Sequence, residues 1–155
     1  AADGCKLRAA DMKARRGDYG AARTLYKELA REGLVSAMRS SAGRASSMHW
    51  LQAVLCLLAE GRVDKVQAEL DACVGEDGSF ASSPEFDLLH GVVQALQAQD
   101  PVEFMAQVRK YDSGGGLSPA TTKLLTVVKE ALCGEGEAGK RVVETLAKDE
   151  DDELL

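Results

Sequence analysis

The sequence predicts an all-α fold, a right-handed solenoid of helical hairpins closed by a C-terminal capping helical segment. Three observations carry that prediction. Apolar residues recur at three- and four-residue spacing along most of the chain, and strand-like alternation is nearly absent. Helix-stopping and helix-starting residues occur in pairs between the periodic stretches. The turns themselves repeat, 44 residues from Gly17 to Gly61 and 39 from Gly61 to Asp100. A period of roughly forty residues built from two helices marks a stacked-hairpin array, somewhat longer than a strict tetratricopeptide (TPR) unit.

The first hairpin is expected over 3–32. Leu7, Ala10 and Ala14 form one stripe, and Tyr19, Ala22, Leu25, Tyr26 and Leu29 form the next. Between them Gly17 can end one helix and Asp18 can cap the other. The second hairpin, 44–74, carries Trp50, Val54, Leu57 and Leu58, turns at Glu60-Gly61-Arg62, and resumes with Val63, Val66 and Leu70. In the third, 83–112, Pro84 follows Ser82 and Ser83, so either serine can cap a helix through Phe86, Leu89, Val93 and Leu96. Asp100-Pro101 then breaks it, and Phe104, Val108 and Tyr111 line the helix that follows.

Three successive glycines in "SGGGL" stop the array, because each costs about 1 kcal/mol in a helix interior. Ser118-Pro119 opens a further helix over 118–133, with Leu124, Leu125, Val128 and Leu132 as its stripe. It is expected to cover an exposed end of the array, as solenoids require. The domain reading is therefore repeats plus capping helix over 1–133. A Gly-rich break, a short helix "KRVVETLAK" and an acidic tail occupy 134–155.

At 155 residues, with 45% apolar and 28% charged content, the chain can enclose a core without disulfides or a metal. No stretch approaches a membrane span, and the charged start is unlike a signal peptide, so a soluble intracellular protein is expected. A first residue other than Met suggests processing or a piece of something longer. Cys5, Cys56, Cys73 and Cys133 are widely spaced and read as reduced, mostly packing residues.

The net charge of −6 hides an asymmetry. Residues 1–44 hold ten Lys/Arg against five Asp/Glu; the other 111 residues hold nine against twenty. One end thus suits an acidic partner and the other a basic one. The chain closes on "KDEDDELL", five consecutive acids followed by Leu154 and Leu155.

Residues for chemistry are sparse. His49 and His90 are the only histidines and neither has a ligand-type partner at i+3 or i+4, so no catalytic or metal site is expected. "SGGGLS" lacks the strand before it and the Gly-Lys-Ser/Thr after it that a phosphate loop needs. The chain is acidic overall and its basic end has no aromatic interleaving, which argues against nucleic acid. No cofactor is called for, and a solenoid without chemistry points to an interaction surface.

In order along the chain, "GDYGAARTLYKELA", "QAVLCLLAEGR", "DGSFASSPEFDLL", "FMAQVRKYDSGGGL", "TTKLLTVVK" and the acidic-Leu tail resemble the C-terminal half of the soluble NSF attachment proteins of alpha/beta type. The resemblance covers most of residues 2–130 and resumes at 149–155. Its most specific parts are F-x-x-S-x-E-x-x-L-L from Phe80 to Leu89 and the series Phe104, Tyr111, Asp112, Leu117, Thr122, Leu125 and Lys129.

The resemblance implies an adaptor that binds the SNARE complex, a syntaxin-type bundle, and recruits and stimulates an NSF-type AAA ATPase for SNARE disassembly. Such a protein hydrolyses nothing itself and is cytoplasmic, peripheral to membranes through SNAREs. On this reading the chain is a C-terminal fragment or a truncated member, and its contact with membranes is indirect. Arg8 falls on a SNARE-facing basic position and Arg44 lies near another, with Lys6, Lys13, Arg15 and Arg16 contributing to the same field. Asp151, Asp152, Glu153 and the penultimate Leu154, together with Glu60, are implied for the ATPase, and Glu135, Glu137 and Glu144 add to the acidic side. Relatives carry acids where this chain has Gln94, Gln97 and Ala98, an acid where it has Gly61, and a base where it has Pro84; these departures alter the expected footprint. The alternative is a generic TPR-like scaffold that shares the fold and not these partners.

Overall fold

The computed structural model describes residues 2–39, 45–114 and 117–132, and among these it shows seven α-helices and no strand. They are α1 (Ala2–Arg15), α2 (Tyr19–Arg39), α3 (Ala45–Ala59), α4 (Val66–Glu76), α5 (Pro84–Ala98), α6 (Pro101–Asp112) and α7 (Pro119–Leu132). The architecture is the all-α, TPR-like one expected: α1 pairs with α2, α3 with α4, and α5 with α6. The segment 134–155, Cys133 and the middle of the "SGGGL" break lie outside the described residues.

The three hairpin turns share one device. At the first, the Gly17 amide donates to the Ala14 carbonyl (3.1 Å) and the Asp18 amide to Lys13 (2.9 Å). At the second, Gly61 donates to Leu58 (2.9 Å) and Arg62 to Leu57 (3.2 Å); at the third, Gln99 donates to Leu96 (3.2 Å) and Asp100 to Ala95 (2.9 Å). Each pair satisfies carbonyls left over at a helix end, and each needs a left-handed residue at the crossing point. Gly17 (φ +83°) and Gly61 (φ +82°) adopt that conformation freely, whereas Gln99 adopts it at φ +54° with a side chain. The turn in the third hairpin is therefore centred on Gln99, one residue before the Asp100-Pro101 break.

Helix starts follow the same economy. All three prolines of the chain, Pro84, Pro101 and Pro119, occupy the first position of a helix, where the missing amide is no loss. Ser83 Oγ accepts from the Phe86 amide (3.2 Å), Asp100 Oδ1 from Glu103 (3.1 Å) and Ser118 Oγ from Thr121 (3.2 Å). Three boundaries differ from expectation. α2 continues seven residues beyond 32, and Gly33 within it permits a close crossing with α3: a Cβ there would lie 2.4 Å from Ser46 Oγ. Val63 belongs to a 3₁₀ turn (Val63–Lys65) that precedes α4. A second 3₁₀ turn, Gly78–Ser82, leads into α5.

α3 is the axis of the molecule. Every residue from Trp50 to Ala59 is buried, and a helix apolar on all sides must be enclosed on all sides. α2, α4, α5 and α7 do so, the seam with α2 being the largest. The fully buried Trp50 donates its Nε1–H to Asp77 Oδ2 (3.1 Å), and Asp77 Oδ1 accepts from the amide (3.1 Å) and hydroxyl (2.6 Å) of Ser79. A carboxylate only 5% exposed is thereby kept satisfied. The F-x-x-S-x-E-x-x-L-L run packs beside it. Phe80 meets Phe86 edge-to-face with ring centres 5.5 Å apart, Ser83 caps α5, and Leu88 and Leu89 are buried.

α7 turns back onto α3, its main neighbour, and touches both α1 and α6 more lightly. α1, α2, α3 and α7 thus close a ring of four helices. Gln52, buried on α3, donates to Thr121 Oγ1 of α7 (3.4 Å), and Thr121 shares a hydrogen bond with Ser118 (2.9 Å). The outer groove between α5 and α6, about 420 Å³, lies open beside Asp87, Leu88, His90, Gln94, Lys110 and Tyr111.

Strain at the third turn is testable. Gln99→Gly removes a left-handed non-glycine residue and is expected to raise stability by about 0.5–1 kcal/mol, while Gly61→Ala lowers it by roughly 1–2 kcal/mol. Urea midpoints followed by the single tryptophan check both; a lower midpoint for Gln99→Gly refutes the shared-turn reading.

Candidate functional site

α1 has two polar flanks with opposite fates. On the flank facing α2, Lys6 pairs with Glu28 (3.6 Å) and Glu32, and the hydrogen bond to Glu32 holds its ammonium above the usual lysine range. Lys13 pairs with Asp18 (3.7 Å) across the turn. On the outer flank Arg8, Met12 and Arg15 are exposed at i, i+4 and i+7, and Arg16 follows in the turn. Among the described residues these three arginines have no ion-pair partner, and Met12 is 50% exposed, one of only three large apolar side chains so placed. Arg15 and Arg16 also sit at the negative end of the α1 dipole, which favours cations there.

α2 uses its cations differently. Arg23, Lys27 and Arg31, four residues apart, form one stripe against α4. Arg23 (3.7 Å) and Lys27 both reach Glu69, and Arg31 grips Glu76 through Nε (2.6 Å) and Nη2 (3.1 Å). Arg31 holds the Glu76 carboxyl below the usual glutamate range, and Glu76 in turn raises the guanidinium. The basic N-terminal end is thus partly internal fastening, and among the described residues Arg8, Arg15 and Arg16 are its cations without an ion-pair partner.

The other expected residues are placed as follows. Lys6 is part-buried and engaged by α2, so it is not brought to the outer flank. Arg44, Asp151, Asp152, Glu153 and Leu154 lie outside the described residues, as do Glu135, Glu137 and Glu144. Glu60 is half-buried at the end of α3, close to Gly20 at the start of α2. Gln94, Gln97 and Ala98 are exposed along α5, with Gln94 hydrogen-bonded to His90 (3.1 Å). His49 is hydrogen-bonded to Gln52 (3.0 Å).

Burial pushes the thiols of Cys56 and Cys73 up, Cys73 to about 12, so both are unreactive packing groups; Cys5 is exposed. Among the described residues no His, Cys, Asp and Glu side chains converge as a metal site, and no helix is long and apolar enough to cross a membrane.

Two features were missed from the sequence. The Arg23/Lys27/Arg31 stripe had a legible signal in its four-residue spacing, though not a visible partner. Lys123 of α7 had none: with Leu124 and Val127 it lines, opposite Ala14 and Arg15 of α1 and Tyr19 of α2, a void of only about 10 Å³.

The profile of one family, described as "Soluble NSF attachment protein, SNAP", matches residues 1–133. The chain belongs to the soluble NSF attachment protein family. The match spans every described residue, and the acidic tail falls beyond it. Among SNAP relatives, the "Alpha-soluble NSF attachment protein" of Vitis vinifera is 30% identical over 132 residues, 85% of this chain and 45% of that protein. The "Vesicular-fusion protein SEC17" of Coprinopsis cinerea is 26% identical over 84% of this chain and 44% of its own length. The "Probable vesicular-fusion protein sec17 homolog" of Schizosaccharomyces pombe is 28% identical over 81% and 43%. The chain therefore spans under half the length of the SNAP relatives it matches. No solved structure matches it.

The α2–α4 fastening makes a pH prediction. Because Glu76 is depressed in the folded state, the stability it contributes is present above its ordinary pKa of 4.5 and is lost as pH falls through the folded value. Glu76→Gln is expected to cost about 0.5 kcal/mol near neutrality, since both partners are half exposed, and to flatten the acid limb of stability below that pKa. Urea midpoints between pH 3 and 7 for both proteins check this; parallel curves exclude it.

Proposed function

We propose that this SNAP-family chain is a non-enzymatic adaptor in vesicular transport. It binds a SNARE complex through the outer flank of α1 and recruits and stimulates an NSF-type ATPase through its acidic tail. The observation that carries the first contact is that Arg8, Arg15 and Arg16 stand exposed, with no ion-pair partner among the described residues, while the neighbouring Lys6, Lys13, Arg23, Lys27 and Arg31 are held by internal acids. Unpaired arginines lose no internal partner on docking and offer forked donors to carboxylates. Arg44 belongs to the same proposed field. On this reading the protein works in the cytoplasm, at membranes only by way of its partners.

The proposed ATPase contact rests on the sequence of the tail. Asp149 to Glu153 would steer it to a basic surface, and Leu154 would bury there, worth about 1.5–3 kcal/mol if fully desolvated. Glu60, half-buried beside α2, would add only its exposed edge. One observation favours a second reading, a TPR-like scaffold for another partner: the open α5–α6 groove carries Gln94, with Gln97 and Ala98 exposed nearby, where acids were expected.

Capture of assembled SNARE bundles by the full chain tests the reading. Binding is expected at low salt and to fall at least tenfold by 0.5 M salt, with Arg8→Glu/Arg15→Glu weakening it as strongly and Lys6→Ala leaving it nearly unchanged. Removing Leu154 and Leu155 is expected to spare folding and bundle capture while reducing ATPase stimulation severalfold. Absence of both interactions at low salt rejects the adaptor in favour of the scaffold.

A further inference from the structure

α1 is not the whole of the basic surface. We infer that α1 and α7 together form one composite docking strip, in which Arg8, Met12 and Arg15 of α1 and Lys123 of α7 receive an acidic helix whose carboxylates recur every seven residues. This rests on the adaptor reading and extends it to a helix more than 100 residues away in the chain.

The placement follows from how the two helices meet. Ala10 and Ala14 point to the core, and the flank of α1 leading round to Arg15 and then Arg8 is the one against which α7 packs. Lys123 lies at the edge of that contact, exposed, with no ion-pair partner among the described residues. The acid nearest the seam, Asp11, accepts a hydrogen bond from the buried Tyr26 hydroxyl. Glu130, two turns along α7 on the same side, bounds the strip.

The occupant follows from spacing and charge. Arg8 and Arg15 are seven residues apart, so their Cα atoms are displaced about 10.5 Å along α1. A partner helix that presents carboxylates at the same seven-residue interval, as the outer face of a heptad-repeat bundle does, meets both at once. Lys123 then flanks that helix from the α7 side, and Met12 supplies an apolar contact inside the cationic frame. A helix holds its carboxylates at this interval in advance, whereas a flexible acidic peptide loses conformational freedom to match it.

The strip exists only while α7 is closed on α1. The Gln52–Thr121 hydrogen bond, which fastens α7 to α3, therefore positions Lys123 as well as completing the core, and the Ser118 hydroxyl holds Thr121 for it.

The test uses the full chain and assembled four-helix SNARE bundles at low salt, with tryptophan emission as a check on folding. Lys123→Glu is expected to weaken capture roughly five- to tenfold, Lys123→Gln about twofold, and Lys65→Glu, on the exposed 3₁₀ turn before α4, not at all. The Lys123→Glu loss should shrink at 0.5 M salt. Loss of capture by Arg15→Glu with none by Lys123→Glu overturns the composite strip and leaves the adaptor standing. Equal loss by Lys65→Glu overturns it in favour of a diffuse field. No capture by the unaltered chain removes both this inference and the adaptor.

Discussion

The structure depends on the enclosure of α3. From Trp50 to Ala59 it has no face that tolerates water, so the chain is stable only when helices surround it. Apolar burial has no direction, and by itself it would accept several arrangements of neighbours. Direction comes from three polar groups on α3, each bonded to a different neighbour. Ser46 donates to the Ala30 carbonyl of α2 (2.9 Å), Trp50 to Asp77 in the approach to α5, and Gln52 to Thr121 of α7. A buried donor without its acceptor costs about 1–3 kcal/mol, enough to reject a misplaced neighbour in a marginally stable domain.

Charge is sorted by the same packing. A basic segment looks uniform as a string, yet α2 spends Arg23, Lys27 and Arg31 on Glu69 and Glu76, and α1 spends Lys6 on Glu28 and Glu32. The α2–α4 pairs join the first hairpin to the second, the Lys6 pairs join the two helices of the first, and the more exposed of them, such as Arg31–Glu76, add little stability individually. What they leave is a short cationic flank with a half-exposed methionine. Internal fastening thus takes some helix faces of this segment and leaves another exposed.

Repetition of a turn, rather than of a sequence, defines the array. Gly17, Gly61 and Gln99 share no flanking motif, but each closes its hairpin with the same two backbone bonds and the same left-handed residue. The geometry of the crossing is thus carried by the backbone, and the flanking residues are left to the packing of each hairpin.

How much of this was legible in the sequence can be stated residue by residue. Leu89, Val93 and Leu96 were readable as core, and Pro84, Pro101 and Pro119 as helix starts, because periodicity, caps and fixed φ act within a few residues of one another. The resemblance to SNAP proteins was legible for the same reason: its strongest motif, Phe80 to Leu89, is a local packing unit of an aromatic pair, a cap and two buried leucines. Three things were not legible. Gln99 carries no mark of a left-handed turn; Lys6 and Arg15 look alike as letters although one faces Glu32 and the other solvent; and α7 gives no sign that it returns to α1. The sequence by itself determined the helices, their ends and the family, since these follow from neighbours in the chain. Only the tertiary structure decided which cations are free and which helices share a surface, because those depend on groups brought together across a hundred residues by the burial of α3.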